Sequence, residues 1–532
     1  MKRTVHHGIG GWKARLAALV LFATGSTLAA APALLVQKCG GCHAGKQKLE
    51  RISSVRKSPE GWDMTIARMG IWHKVQVTRA ERKALVKYLA DTQGLAPEES
   101  APYREFLERQ PNLIDAAPSE QLGQMCGRCH SFGRVALQRR DTQEWRKLVH
   151  THMGQFPSVE YSALGRDRNW FELAVGETAS KLGELYPQST AAWTKWRRAT
   201  HRPPTGQWRV AGHRPGVGDY SGYMQVRALT GDRYAVSYEL LYGDGNRLVG
   251  EGESVVYAGY EWRGNALIGN QETRSIFALS ADGTTMAGRW FMRGADEIGA
   301  RFEAVRMDGA RPGTIVAVSP AILRSGESTT VRVSGVRLTA AWLERPDLGA
   351  DLRVEMVTRV SDDEALLTVK VAEAAAVGWR KVGAGPAGSD ARLAVYRRFD
   401  SVRVEPEFAI ARLGGGANTP LTAQFEAVAF LNGADGKPGT DDDVRLGPVS
   451  ASWSVDNNDE KAKGANDAAF AGVMEPTGRF WPALAGQNPA RNNQSNAGDL
   501  AVLASVKDGA HTVTGKGRLV VTAQRWNTPP LR

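Results

Sequence analysis

Two pentapeptides, Cys39-Gly-Gly-Cys-His43 and Cys126-Gly-Arg-Cys-His130, hold all 4 cysteines of the chain. Cys-x-x-Cys-His is the attachment signature of a c-type haem. The two thiols become thioethers on the porphyrin vinyl groups, and the adjacent histidine takes the proximal position on the iron. The competing reading is a pair of Cys-x-x-Cys redox or zinc sites. A histidine abutting the second cysteine in both copies points to haem instead. Cys39, Cys42, Cys126 and Cys129 are therefore candidate attachment points, and His43 and His130 candidate iron ligands. The expectation is an electron-transfer protein with two covalently bound haem c groups.

The sixth ligands follow from an internal repeat. Arg56-Lys-Ser-Pro-Glu-Gly-Trp62 and the helix after it align without a gap on Arg139-Arg-Asp-Thr-Gln-Glu-Trp145 and its helix. Each copy reads as one haem-binding helical unit. Seven residues after the tryptophan stand Met69 in the first copy and His152 in the second. Seven residues are two helical turns, so tryptophan and ligand share a face. Met and His both serve as distal ligands of haem iron. His73, one turn beyond Met69, is the rival for the first haem, and Met64 is also near. His150 and Met153 flank His152. Methionine ligation raises the iron's potential, so a His/Met haem and a bis-His haem are expected to be unequal. Arg56, Lys57, Arg139 and Arg140 are candidate partners for haem propionates.

These residues need helices to carry them, and residues 33 to about 197 read as helical. Arg79–Ala90 has apolar residues at helical spacing, and Ala101–Asn112 and Trp170–Tyr186 look similar. Ahead of them, Lys2, Arg3, Lys13 and Arg15 precede the apolar run Leu16–Ala23 and then small residues. That is an export leader with cleavage options after Ala29 or Ala31. The apolar run is too short to span a membrane, which takes about 20 residues. The expected location is the periplasm, with no membrane span.

Pro203-Pro204 breaks the helical pattern. From Gln207 to about Met307 short alternating strands with glycine turns suggest an antiparallel meander, an eight-stranded barrel being one form of it. Thr314–Pro320 and Thr329–Ser334 resemble the leading strands of an immunoglobulin-like sandwich. A second such unit starts near Ser401 and closes with Gly517–Ala523. The fold class expected is an all-α dihaem cytochrome c domain followed by an antiparallel β-barrel and two immunoglobulin-like β-sandwiches. The divisions are 1–31 leader, 32–200 cytochrome, 205–310 barrel, 311–400 and 401–532 sandwiches. Asp435–Asp443 clusters aspartates, but without the alternate spacing and late glutamate of a calcium loop, and reads as a solvated turn.

The net charge of +12 suits solubility or docking to an acidic redox partner. Export and the lack of a basic block argue against nucleic acid. No nucleotide-binding glycine fingerprint, nucleophile elbow or zinc-protease helix occurs. His201, His213 and His511 stand alone among the strands and read as surface or capping residues.

Pro59-Glu-Gly-Trp-Asp-Met-Thr65, Cys126-Gly-Arg-Cys-His-Ser131, Val135-Ala-Leu-Gln-Arg-Arg140 and Gly154-Gln-Phe-Pro157, with the order of parts, resemble the dihaem alpha (large) subunit of quinohemoprotein amine dehydrogenase. The resemblance is detailed over roughly the first 190 residues and architectural beyond. It implies a periplasmic heterotrimer with a β-propeller subunit and a small subunit carrying cysteine tryptophylquinone. That quinone would oxidise a primary amine, and this chain would pass the electrons through its two haems to an external copper protein or cytochrome c. The resemblance also implies one His/Met and one bis-His haem, and no amine-oxidising or other catalytic residue on this chain. The alternatives are a dihaem subunit of another periplasmic dehydrogenase and a stand-alone electron carrier.

Overall fold

A computed structural model describes residues 27–43, 49–110, 115–160, 168–383, 391–416 and 419–523. Most of the expected export leader, residues 1–26, lies outside them.

Helix α1 (Thr27–His43) ends on the first pentapeptide. Strand β1 (Val55–Lys57) leads into helix α2 (Pro59–His73). The Ser58 hydroxyl accepts from the Gly61 amide at 3.2 Å, and Pro59 opens the first turn, where its missing N–H costs nothing. Helix α3 (Arg79–Thr92) starts on a reciprocal Thr78/Glu81 capping box. In the second copy, strand β2 (Gln138–Arg140) leads into helix α4 (Thr142–Gln155), capped by the Asp141 carboxylate on the Glu144 amide at 2.8 Å.

The N-terminal region is not the all-α cytochrome domain expected. Strands β1 and β2 pair antiparallel inside it, Val55 with Arg140, Arg56 with Arg139, and Lys57 with Gln138. The reason is burial. These segments run beneath helices, away from water, and buried backbone groups must find partners. Lys57 N–H donates to the Gln93 carbonyl at 3.0 Å, and Ser58 N–H to Leu137 at 3.3 Å. The expected helix at Trp170–Tyr186 is also interrupted, by a widened π-type turn at Ala174–Thr178. That expected at Ala101–Asn112 breaks into two short turns, Ala101–Tyr103 and Arg104–Leu107, with 111–112 outside the described residues. Strands make up 42% of the structure against 27% helix, so the molecule is mostly β.

Eight antiparallel strands, β3 (Gly206–Arg214), β4 (Gly218–Ala228), β5 (Arg233–Tyr242), β6 (Arg247–Tyr257), β7 (Glu261–Ile268), β8 (Gln271–Leu279), β9 (Thr285–Met292) and β10 (Ala295–Arg306), close into a barrel in which β10 pairs with β3. Alternate residues point inward and fill it: Trp208, Met224, Tyr238, Trp262, Phe277, Trp290 and Phe302. Phe277 and Phe302 stack with centroids 4.0 Å apart. A void of only about 10 Å³ remains among Tyr238, Trp290 and their neighbours, as expected where eight strands leave just enough room for side chains.

Beyond the barrel lie two units, each built from facing sheets. In the first, a four-stranded and a three-stranded sheet enclose Ile315, Val333, Leu367, Val369, Leu393 and Val395. In the second, the sheet Ser401–Glu405, Glu426–Leu431, Val444–Val449 faces the sheet Phe408–Arg412, His511–Thr522, Gly498–Asp508, Ser452–Asn457 around Val404, Val502 and Leu519. The Asp435–Asp443 loop turns inward on itself. Asp443 accepts from the Gly439 and Thr440 amides at 2.7 and 3.2 Å and pairs with Arg403.

Charged groups lock the units together. Arg263 on β7 binds Glu60 on α2 at 2.5 Å and the buried Glu261 beside it. Arg209 binds Glu364 at 3.1 Å, tying the barrel to the first two-sheet unit. His213 is not an isolated surface residue. Its Nδ1 meets Asp219 at 2.6 Å, its Nε2 meets Glu426 of the last unit, and Asp219 also accepts from the Ser319 hydroxyl at 2.6 Å.

Candidate functional site

The two copies of the repeat meet at the β1–β2 ribbon. The register sets Arg56 opposite its repeat equivalent Arg139, as a local two-fold relation between the copies requires. Further equivalences hold in three dimensions. The Lys57 ammonium lies 5.5 Å from the Trp62 ring centre, and the Arg140 guanidinium 5.7 Å from that of Trp145. Both tryptophans are buried. Each therefore packs under its helix and anchors the face on which Met69 and His152 are carried.

At the first pentapeptide Cys39 is half-buried and Cys42 exposed, both as free thiols. The i, i+3 spacing at the end of α1 sets both on one helix face. Leu34, Leu49, Ile52 and Ile66 pack with Cys39 against the Trp62 cluster. The His43 Nδ1 is buried and without a hydrogen-bond partner. Burial lowers the pKa of His43, and Arg51 and His73 add to the effect. His73 thus lies within electrostatic reach of His43. Met69 is half-buried on the same helix, and its carbonyl accepts from Val75 N–H at 3.3 Å where the helix ends. Met64 is placed differently, its sulfur accepting from Arg68 and from Arg134, each at 2.9 Å.

At the second pentapeptide the chain passes through a widened π-type turn, Gly123–Gly127, that carries Cys126; such turns recur at functional sites. Burial pushes the Cys126 thiol up to about 12. Cys39 is likewise raised, by burial and then by Cys42. A redox Cys-x-x-Cys needs the opposite, a depressed thiol. The turn after His130 is pinned by Asp115, whose carboxylate accepts from Phe132 N–H at 3.0 Å and also holds Ser131 and Gly133. His130 Nδ1 lies 2.9 Å from the Ser131 carbonyl, and His152 Nδ1 3.0 Å from that of Leu148. A carbonyl can only accept, so both Nδ1 atoms carry the proton and both Nε2 atoms are left with a lone pair. This is the tautomer that binds iron. Burial lowers the pKa of both rings, and His152 is one of the groups that act on His130. Two neutral imidazoles therefore sit near one another. Trp170 lies 6.3 Å from the His152 ring, and Met125, Val149, Met153 and Phe171 line the same apolar cluster. Exposed His150 turns instead to Phe171, 5.2 Å away.

The four candidate propionate partners divide. Arg56 and Arg139 are taken by one carboxylate. Glu99 receives Arg56 through two contacts of 2.8 Å and Arg139 through one of 3.0 Å. Lys57 and Arg140 stay on the other side of the ribbon. Nothing local in the sequence marks Glu99, Asp115, Arg68 or Arg134, whose partners lie far along the chain or come only with the fold. Among the described residues no group of three or more His, Cys, Asp or Glu side chains is set to hold a bare metal ion. Paired thiols beside a histidine, neutral imidazoles with free Nε2 and apolar walls fit a haem attached through the two cysteines.

Family models tile the chain. Residues 29–193 match "Quinohemoprotein amine dehydrogenase A, alpha subunit, haem binding". Residues 201–307, 312–397 and 402–531 match domains II, III and IV of the same alpha subunit. No curated protein matches. Among solved structures, a redesigned beta barrel, mFAP1, bound to DFHBI is 14% identical with a TM-score of 0.17, over 19% of this chain and 93% of that one. The zebrafish RET cadherin-like domains 1 to 4 are 10% identical with a TM-score of 0.18, over 47% of this chain and 62% of that one. Likenesses of that size carry no functional argument.

Proposed function

The chain belongs to the quinohemoprotein amine dehydrogenase alpha-subunit family, and on that premise we propose that it is the electron-conducting subunit of a periplasmic amine dehydrogenase with two haem c groups. The enzyme is an oxidoreductase, and residues 29–193 are the family's haem-binding region. Cys39 and Cys42 would hold the first haem with His43, and Cys126 and Cys129 the second with His130. His152 would hold the second haem's iron from its other side, and Met69 the first's, with His73 the alternative. Each bound haem iron supplies a one-electron ferric–ferrous couple. The protein's part is to fix ligands, exclude water and set the potential. His130 and His152 do this by presenting Nε2 from rings locked on backbone carbonyls. Buried Trp62 and Trp145 hold the helices that carry the distal ligands.

Substrate oxidation belongs to partner subunits on this reading: a small one bearing cysteine tryptophylquinone and a β-propeller subunit. Electrons leave to an external copper protein or cytochrome c. The observation that carries the proposal is the tiling of the chain by family models, with every cysteine placed in a haem-attachment string. The test is purification of the exported complex. Intact mass of this chain should equal the leader-cleaved polypeptide plus two haems, and added primary amine should reduce both haems. A chain without haem, or haems inert to amine in the intact complex, would overturn it.

A further inference from the structure

Lys57 and Arg140 are each 8% exposed and lie on the face of the β1–β2 ribbon turned away from Glu99. Among the described residues the only oxygen that meets the Lys57 ammonium is the neutral Thr65 hydroxyl, at 2.6 Å. Arg140 has Glu144 at 3.8 Å, and Lys147 claims that same carboxylate at 2.5 Å. Arg68 of the first copy and Arg134 of the second converge on the Met64 sulfur. Neither has a carboxylate partner among the described residues. All three guanidiniums act on Lys57, and with its burial they hold its pKa well below the ordinary lysine range. The described carboxylates that act on the four are Glu144, shared with Lys147, and Asp141, both at Arg140. Positive charge outnumbers negative, and a buried charge without a partner is strongly destabilising, so the cluster has room for a further anion.

Its position says which. Arg134 stands four residues after His130, and Arg140 lies 5.7 Å from the ring of Trp145 on the helix that carries His152. Arg68 lies 5.7 Å from the ring of Trp72, which meets Phe156 at 6.4 Å, and Phe156 in turn lies 6.3 Å from the His152 ring. We propose that Lys57, Arg68, Arg134 and Arg140 form one anion seat for the propionate carboxylates of the haem held by Cys126, Cys129 and His130. The first copy of the repeat thereby supplies half of the charge that seats the second copy's haem. This rests on the haem reading above, and goes beyond it in assigning cations across the repeat. The seat also acts on the iron. Positive charge beside the propionates disfavours the oxidised form and holds that haem's potential up.

The test uses the complete, haem-loaded complex. Arg134→Gln and Lys57→Gln should each raise the oxidised-to-reduced ratio of the second haem at fixed potential about tenfold, roughly 59 mV downward for a one-electron couple. The first haem should not move. Arg134→Lys should restore most of the shift, and the propionate bending bands in resonance Raman spectra should move in the glutamine variants alone. A Cys126→Ser/Cys129→Ser chain that keeps only the first haem should not respond to Arg134→Gln. Equal shifts at both haems, no shift with two haems present, or a wild-type second-haem potential that follows added phosphate would overturn the seat. Absence of haem from the wild type would instead overturn the functional reading. Should a glutamine variant fail to fold, Arg134→Met, which fills the same half-buried position without a charge, replaces it: the same second-haem shift is expected, and its absence overturns the seat.

Discussion

His213 joins three units, and its contribution should be readable as a pH dependence. Burial alone would lower its pKa. The hydrogen bonds and charges of Asp219 and Glu426 outweigh that and raise it from 6.5 to about 9. Its side chain is 21% exposed, so solvent screens only part of the interaction. One pKa unit corresponds to 1.36 kcal/mol, and the shift implies on the order of 3 kcal/mol of stabilisation. A raised folded-state pKa means this stabilisation is fully present below about pH 6.5 and is lost as pH rises through 9. The perturbation is His213→Gln, which keeps a hydrogen-bonding side chain but cannot take a proton. Urea unfolding followed by tryptophan fluorescence compares the variant with wild type at pH 6 and pH 9.5. The destabilisation should be about 3 kcal/mol larger at pH 6. An equal loss at both values would show that His213 is neutral in the fold and that the reasoning from its two carboxylate neighbours is wrong. A loss that grows with pH would refute even the sign.

Cys126→Ser with Cys129→Ser should reduce the covalent haem count of the mature chain from two to one, read by intact mass. Met69→Ala and His73→Ala should part the two candidates for the first haem. Only the true ligand's loss converts that haem to a high-spin spectrum, and only methionine ligation gives a methionine–iron charge-transfer band to lose. Glu99→Gln leaves Arg56 and Arg139 buried without counter-charge, and should cost about 3–5 kcal/mol in denaturant unfolding. Glu108 is raised to about 7, first by burial. A carboxyl with a raised folded-state pKa loses stability as pH rises from about 4.5 through 7. Glu108→Gln should accordingly gain in melting temperature over wild type at pH 8 and not at pH 4.

Local spacing determined much of this site. Two Cys-x-x-Cys-His strings, a basic pair followed by tryptophan, and a candidate ligand seven residues on are statements about helix faces. Helix geometry converts such spacing into position without help from the rest of the chain. Ser58 and Asp141 cap their helices for the same reason. The barrel, too, was legible, because alternation with glycine turns reports a half-buried strand directly. An all-α N-terminal region was the wrong inference from the same signal. Three-residue strands such as Val55–Lys57 carry no period, and become strands only because their backbone is buried beside a partner 83 residues away.

Choices among like residues were made by tertiary contact. Nothing in Arg56-Lys57 or Arg139-Arg140 distinguishes the cation that Glu99 binds from the one on the opposite face of the ribbon. The pairing of the ribbon decides it, by sending alternate side chains to opposite faces. His213 likewise became charged because the fold brings up Glu426 from 213 residues away. Side-chain chemistry and helical spacing, both readable along the chain, set which residues are candidates to attach and ligate and where the unit repeats. Which of the buried charges meet a counter-charge is settled by burial and distance in the folded molecule, not by order along the chain.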